Sequence, residues 1–377
     1  MGNNSKLLTI ILTLKDRSEY TYRWMKWMNE NSCPYKILIA DGGKDKNIEE
    51  HLKEYSNYPN LNYEYVRYPY DKNIKSFYKK HQDICSRVTT PYTMMTDNDD
   101  FVILEFLAEK IDFLQKNDDY SCYMGDDILF DIIDKNKEVS YIGGNEVLCY
   151  GENVNFRDMK SAKSAETNDI YERFMYILEK HNASIWYSVM RTKYLKIIWE
   201  DVVKSNQQIT PTSEYNIMCM LGIFGKIKVD TKPHYARQVY TSQSARMPIE
   251  GLDNMILKLL SKPWQEDYMM LRESLFKWVQ EYDINVTRDE FYKDFNKTYE
   301  IHVRKIVKSQ LKKNDFLSRF KYILFRKRNL FISKLIILFQ DITKIKISYL
   351  ISQNYHKEAG FNEVYKFIKK NKESKFE

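Results

Sequence analysis

From Leu7 to Phe101 the chain alternates between two kinds of residue pattern, and that alternation limits the fold more than any other feature. Leu7-Leu8-Thr9-Ile10-Ile11-Leu12-Thr13-Leu14 is continuous, apolar and β-branched, as a strand covered on both faces must be. It stops at Lys15-Asp16-Arg17, and Ser18-Glu19 open a helical pattern through Trp24, Trp27 and Met28. Tyr35 to Ala40 is a second strand, halted at Asp41-Gly42-Gly43, where glycine permits a tight turn. A helix over Asn47 to Tyr55, a strand near Leu61 to Tyr65, a helix from Ile74 to Ser86 and a strand over Tyr92 to Thr96 follow. Strand and helix recur roughly every 25 to 30 residues, the βαβ rhythm of a parallel, doubly wound sheet.

The fourth strand runs into Asp97-Asn98-Asp99-Asp100. Open α/β sheets bind ligands at the carboxyl ends of their strands, so this cluster is the first candidate site. Close carboxylates repel by on the order of 1 kcal/mol per pair unless a cation lies between them. Oxygen-only ligands suit Mg²⁺ or Mn²⁺, which complete their shells with water and substrate phosphate. The competing reading is a polar loop with an Asp helix cap. The apolar run from Phe101 to Leu107 then reads as the opening of a helix, continued over Leu104 to Gln115.

A first strand ending in Thr13-Leu14-Lys15-Asp16-Arg17, a second ending in Ala40-Asp41-Gly42-Gly43, the stretch Asp71-Lys72-Asn73-Ile74 before a helix, and Thr96-Asp97-Asn98-Asp99-Asp100 together resemble the GT-A glycosyltransferases. The likeness is to the family-2-like, inverting branch that builds bacterial surface polysaccharides. It covers residues 5–130 well and 180–245 loosely. It implies an α/β, Rossmann-like nucleotide-diphospho-sugar transferase fold for a catalytic domain over 1–247; the region over 248–377 lies outside the likeness and reads as helical by its own pattern. The likeness also implies a nucleotide-sugar donor, UDP-linked by preference, and a glycan or lipid-linked acceptor in capsule, lipopolysaccharide or lipooligosaccharide synthesis. Carried over residue by residue, Thr13 and Asp16 or Arg17 would lie against the nucleotide, Asp41 would face the base or ribose, Asp97 the ribose, and Asp99 would bind Mn²⁺ or Mg²⁺. A metal held by a few carboxylates can neutralise a departing diphosphate as a Lewis acid. No GxxxxGK[ST] loop and no GxGxxG after the first strand is present, which argues against P-loop and dinucleotide folds.

Further along, Tyr120 to Met124 reads as a strand ending in Gly125-Asp126-Asp127, an acidic pair that could contact an acceptor but fits a turn better. Tyr141 to Tyr150 reads as a hairpin, Asp169 to His181 as a helix, and Ala183 to Met190 as a strand ending at Arg191. By the resemblance this region lines the acceptor side, with Trp186 or Tyr187 as a sugar platform or as core. Inverting transfer needs one carboxylate to take the acceptor proton, and Glu214 in Pro211-Thr212-Ser213-Glu214-Tyr215 is the best-placed candidate. It opens a helix over Ile217 to Phe224 whose positive end favours the ionised form, and its plain alternative is a first-turn Glu capped by Ser213. After the strand Lys226 to Val229 come His234, a candidate metal ligand by the resemblance, and Arg237, a candidate diphosphate clamp.

Charge is uneven. The net +7 comes from 19 Lys and Arg against 6 Asp and Glu over residues 301–377, which is +13, leaving −6 for residues 1–300. From Pro248 onward the pattern is helical, over Leu252–Leu260, Glu266–Tyr282 and Arg288–Lys313, followed by the basic and aromatic stretch Phe316 to Phe339. Its apolar run is too short to span a bilayer, which takes roughly 20 residues. Two covers suit it: an anionic membrane surface, which would make the protein peripheral at the cytoplasmic face, or packing on the body or in a homodimer. Nucleic acid fits less well, since no recognised module surrounds the basic residues. Five scattered cysteines without a CxxC pair read as reduced, buried thiols. The remaining alternatives are a non-catalytic membrane-associated scaffold that keeps the nucleotide fold and a sugar nucleotidyltransferase.

Overall fold

The structure is a computed structural model and describes residues 6–133, 153–159, 163–180, 183–238, 259–282, 284–314 and 359–371. The expected hairpin over Tyr141–Tyr150, most of the helix over Leu252–Leu260 and the stretch Phe316–Phe339 lie outside these residues.

The alternating pattern builds β1 (Leu8–Leu14), α1 (Ser18–Glu30), β2 (Lys36–Asp41), α2 (Lys46–Lys53), β3 (Asn62–Arg67), α3 (Ile74–Ser86) and β4 (Tyr92–Asp97). Every residue of β1 is buried, as its continuous apolar run requires, and each such Leu or Ile contributes about 1.5–3 kcal/mol. β1 lies between β2 and β4, parallel to both, with Thr13 level with Ala40 on one side and Asp97 on the other. That register puts the ends of the three strands, and the loops after them, at one edge of the sheet.

The sheet continues through β6 (Tyr120–Met124), β9 (Val189–Arg191) and β10 (Lys226–Val229), giving seven strands in the order β10-β6-β9-β4-β1-β2-β3. Only β9 is antiparallel to its neighbours. A second, four-stranded sheet has the order β5-β11-β7-β8, from β5 (Phe101–Val102), β7 (Asp127–Ile133), β8 (Asn153–Met159) and β11 (Tyr235–Gln238).

Two stretches depart from the sequence reading. Phe101-Val102 does not start a helix; it pairs antiparallel with Tyr235-Ala236, and α4 begins only at Leu107 (Leu107–Lys116). The partner strand is some 130 residues away, so no local pattern announces it. Ala183–Tyr187 forms a 3-10 turn instead of extending the strand, which shortens to β9. An apolar run buried all round carries no period that separates turn from strand.

α5 (Ile170–Lys180), α6 (Thr192–Lys204) and α7 (Thr210–Phe224) complete the body. Two further helices, α8 (Lys262–Glu281) and α9 (Arg288–Asn314), pack on α7 and α5. The Phe174 ring of α5 stacks 5.7 Å from Phe291 of α9. The last helix, α10 (Ala359–Lys370), sets Phe367 5.3 Å from Trp27 of α1 and 5.9 Å from Phe101. With Phe361 6.2 Å from Phe130 of β7, the buried face of this helix packs against α1 and the second sheet, a placement the sequence pattern did not announce. No described helix is long and apolar enough to cross a membrane.

Candidate active site

The turn after β1 carries two consecutive residues in left-handed conformation, Asp16 at φ 60° and Arg17 at φ 68°. For non-glycine residues this costs roughly 1–2 kcal/mol each, so the surroundings must hold it. They do so from both sides. Lys44 N donates to Asp16 Oδ1 at 2.5 Å, and Arg17 Nη2 meets Asp99 Oδ2 at 3.1 Å. Gly43 is needed there because a Cβ on it would fall 2.5 Å from the Asp16 nitrogen.

At the end of β4, carboxylate oxygens of Asp97, Asp99 and Asp100 all lie within 4.8 Å of one another. Each is held by a different element. Tyr187 Oη donates to Asp97 Oδ2 at 2.7 Å, and Gln238 N donates to Asp100 Oδ1 at 2.8 Å. Arg23, buried in α1, grips the loop by donating to the Asp99 carbonyl at 2.5 Å and to Gln238 Oε1 at 2.6 Å. Asn98 points the other way and donates to Thr21 Oγ1 at 3.0 Å. Burial and the neighbouring Asp99 charge push the Asp97 carboxyl above the usual carboxylate range and Asp100 well above it. Three converging hard oxygen donors whose mutual repulsion a cation would relieve fit a divalent metal.

The second sheet brings the remaining groups in. Tyr235 of β11 stacks on Tyr187 at 4.1 Å and 14°, and its hydroxyl oxygen accepts from Asp97 N at 3.1 Å. Two residues on, the Arg237 guanidinium sits 5.1 Å from the centre of the Tyr187 ring. Tyr187 and the carboxyls of Asp100 and Asp127 hold Arg237 charged. Asp127 opens β7 beside Tyr235 and is only 1% exposed, so burial pushes its carboxyl up to about 6 against the opposing effects of Ser184 and Arg237. Burial likewise raises Glu214 of α7 to about 7, opposed by Arg237 and reinforced by Asp97. Glu214, Arg237 and Asp97 therefore act on one another electrostatically.

Other candidates are placed differently. Both His234 ring nitrogens are occupied: Gly125 N donates to Nδ1 at 3.0 Å, and Nε2 donates to the Tyr187 carbonyl at 3.0 Å. This geometry leaves no lone pair for a metal, and His234 is absent from the acidic cluster. Arg191 is bound to the Tyr120, Leu114 and Asn117 carbonyls, so it closes a helix end and a strand instead of facing an acceptor. Trp186 is core, edge-on to Trp199 at 5.3 Å. Asp126 lies in the link between β6 and β7, where its carbonyl accepts from His234 N at 3.3 Å, and Asp127 belongs to the strand and not to a turn. Ser213 does not cap α7; the helix starts earlier, and the Ser213 hydroxyl donates to the Thr210 carbonyl. Asp41 ends β2 with both oxygens engaged, Oδ1 by Gly43 N at 2.7 Å and Oδ2 by Tyr65 Oη and Arg67 Nη1 at 2.6 Å each. Thr13 is buried level with Asp97.

Arg23, Tyr235 and Gln238 had no role assigned from sequence, and Tyr187, expected as a sugar platform or as core, instead donates to Asp97 and stacks on Tyr235. Tyr235 and Gln238 are brought to β4 by the second sheet, Arg23 by α1 and Tyr187 by the 3-10 turn, and none of these long-range contacts has a local signature; the one usable hint was aromatic density just before Arg191 and Arg237.

No protein-family model matches the chain, and no curated protein matches it in sequence. Among solved structures it is similar to S. aureus TarS 1-349 in complex with UDP-GlcNAc, at 11% identity over 78% of this chain and 72% of that one, with a TM-score of 0.45. It is also similar to S. aureus TarS, at 12% identity over 78% of this chain, with a TM-score of 0.41. The chain spans 43% of the length of that TarS chain. At such identities function has to be argued from the site itself.

Proposed function

We propose that this chain is a metal-dependent glycosyltransferase of the GT-A type, moving a sugar from a nucleotide-sugar donor, UDP-linked by preference, to a glycan or lipid-linked acceptor. The observation that carries the reading is the convergence of Asp97, Asp99 and Asp100 at the end of β4 with Glu214 and Arg237 acting on the same carboxylates. The motif order along β1, β2 and β4 supports the same reading. Bacterial surface polysaccharide or lipooligosaccharide is the product class we favour, and the basic C-terminal region suits an anionic membrane surface.

Asp97, Asp99 and Asp100 would hold Mn²⁺ or Mg²⁺, which supplies Lewis-acid neutralisation of the diphosphate. Thr13, Asp16 and Arg17 border the nucleotide, with Asp41 held rigid behind them. Glu214 takes the proton of the acceptor hydroxyl as its oxygen bonds to the anomeric carbon. The bond from that carbon to the diphosphate oxygen breaks, its electron pair leaves with the phosphate, and attack from the opposite face inverts the centre. A pKa near 7 matches a base working at neutral pH. Arg237, held charged, faces the developing negative charge.

The test is thermal stability with UDP, GDP, CDP and CMP, each with Mn²⁺ and with EDTA, alongside release of nucleoside diphosphate from the matching sugar nucleotides. One diphosphate at a hundredfold excess over its Kd should stabilise by about 2.7 kcal/mol, and EDTA should remove the gain. No gain with any nucleotide, and no donor turnover, would discard the proposal in favour of a non-catalytic scaffold.

A further inference from the structure

The helix that carries Glu214 cannot close its own start. α7 begins at Thr210, its N-cap is Ile209, and neither Ile209 nor any neighbour supplies a side-chain cap. Unsatisfied amides at a buried helix start are costly, so another element has to answer them. For the N-cap amide and the one before it the answer comes from α8, which lies after the seven-stranded sheet in the chain. Asp267, fully buried, turns Oδ2 toward Gln208 N at 2.7 Å, Ile209 N at 2.8 Å and the Thr212 hydroxyl at 2.9 Å. A second clamp follows one turn later. Asp201 of α6 accepts from Asn216 Nδ2 at 2.8 Å and, from α8, Ser274 Oγ at 2.7 Å and Trp278 Nε1 at 3.0 Å. Glu214 stands between the two clamps, two residues after Thr212 and two before Asn216.

We infer that Asp267 is a positioning residue for the candidate base: the C-terminal extension, through α8, fixes the start of α7 and with it the approach of Glu214 to the acceptor. The inference rests on the glycosyltransferase reading and on Glu214 as its base. Asp267 touches no reacting atom in this scheme. It sets the helix frame, so its loss acts on the chemical step and spares donor binding, whose groups lie on β1, β2 and β4. A base displaced by a fraction of an ångström to an ångström forfeits much of its rate.

The experiment uses the full chain with Mn²⁺ and whichever sugar nucleotide the wild type turns over. Asp267→Ala should lower kcat about ten- to hundredfold while KM for the donor stays within twofold. Asp267→Asn, whose amide oxygen can still accept from Gln208 N and Ile209 N, should keep kcat within about threefold. In a Glu214→Gln background, Asp267→Ala should add no further loss, because both changes act through one group. If Asp267→Ala fails to fold, the Asn variant and its pair with Glu214→Gln carry the test: a full loss in Asp267→Asn, or additive losses in the pair, overturns the inference. Unchanged kcat in Asp267→Ala, or a parallel rise in KM, overturns it too. A wild type that turns over no donor removes the glycosyltransferase reading itself, a different failure from an active wild type indifferent to Asp267.

Discussion

Two groups of buried carboxylates sit at the same edge of the sheet, and they are treated oppositely. Beside β2, each acid has its own cation: Asp41 meets Arg67 at 2.6 Å, and Asp71 meets Lys80 at 2.5 Å with both side chains almost wholly out of water. Burial raises Asp71 and lowers Lys80, and each partner's charge works against that shift. Beside β4, among the described residues, Asp97, Asp99, Asp100, Asp127 and Glu214 outnumber the guanidinium groups near them: Arg17 on Asp99, Arg23 on the Asp99 carbonyl, and Arg237 among the rest. The chain can provide counter-charges one for one, as at β2, and among the described residues it does not do so at β4. An acid cluster with fewer cations than carboxylates is the arrangement the proposed metal would complete.

The sharpest way to break this contrast is to remove a carboxylate from each side. Asp99→Ala should cost on the order of a thousandfold or more in donor turnover, about 4 kcal/mol of transition-state stabilisation, and leave circular dichroism and the metal-free melting temperature unchanged or slightly raised. Turnover within tenfold of wild type would show that the β4 acids are structural after all. On the other side, Lys80→Met leaves Asp71 buried without its partner. That should cost about 3–5 kcal/mol of unfolding free energy in urea titration, and pairing it with Asp71→Leu should recover most of the loss. If Lys80→Met melts like wild type, the β2 pair carries no structural weight and the comparison loses one of its arms.

How much of this was legible beforehand follows from the range of the interactions. β1, β2, β4, α1 and α3 rest on local period, and their limits agree with the sequence pattern within a residue or two, α3 at both ends. The Asp97–Asp100 cluster was legible because a strand that stops at three acids is a local event. Tyr187, Tyr235 and Arg23 were not, because each reaches the acids through a contact at least 75 residues apart in sequence. His234 shows the reverse error: a histidine after the last core strand satisfies a pattern, yet its ring is spent on two backbone groups. The basic C-terminal region reads as separate by charge, while apolar burial ties α8, α9 and α10 to the body.

Asp127 tests whether the shortage of positive charge at β4 extends past the three converging acids. Its carboxyl is pushed up to about 6, from an ordinary value near 3.8, chiefly by burial. A raised carboxyl holds more protons folded than unfolded, so stability falls as pH rises from about 4 through 6 and stays low above. Asp127→Asn removes that loss. It should stabilise the metal-free protein by about 2–3 kcal/mol at pH 7.5 and by almost nothing at pH 4. Added Mn²⁺ should leave the Asn-minus-Asp difference intact, since Asp127 is not among the three converging acids. A difference that Mn²⁺ abolishes would enlarge the cation site to include Asp127.

The smallest effect is the most specific to chemistry. Arg237 favours the ionised form of Glu214 and Asp97 opposes it, while burial, the largest effect, raises it to about 7. A base works deprotonated, so kcat should fall about tenfold per pH unit below 7 and level off above. The sign separates catalysis from folding: a raised carboxyl makes the protein more stable at the lower pH, so a rate lost on acidification between pH 7 and 6 is not unfolding. Arg237→Lys should keep the charge but lose the planar fork, and Arg237→Gln should move the limb upward by removing the charge that holds Glu214 ionised. A limb that stays in place in Arg237→Gln would mean that the ionisation seen belongs to another group, and one found near 4.5 in the wild type would mean that burial does not raise Glu214.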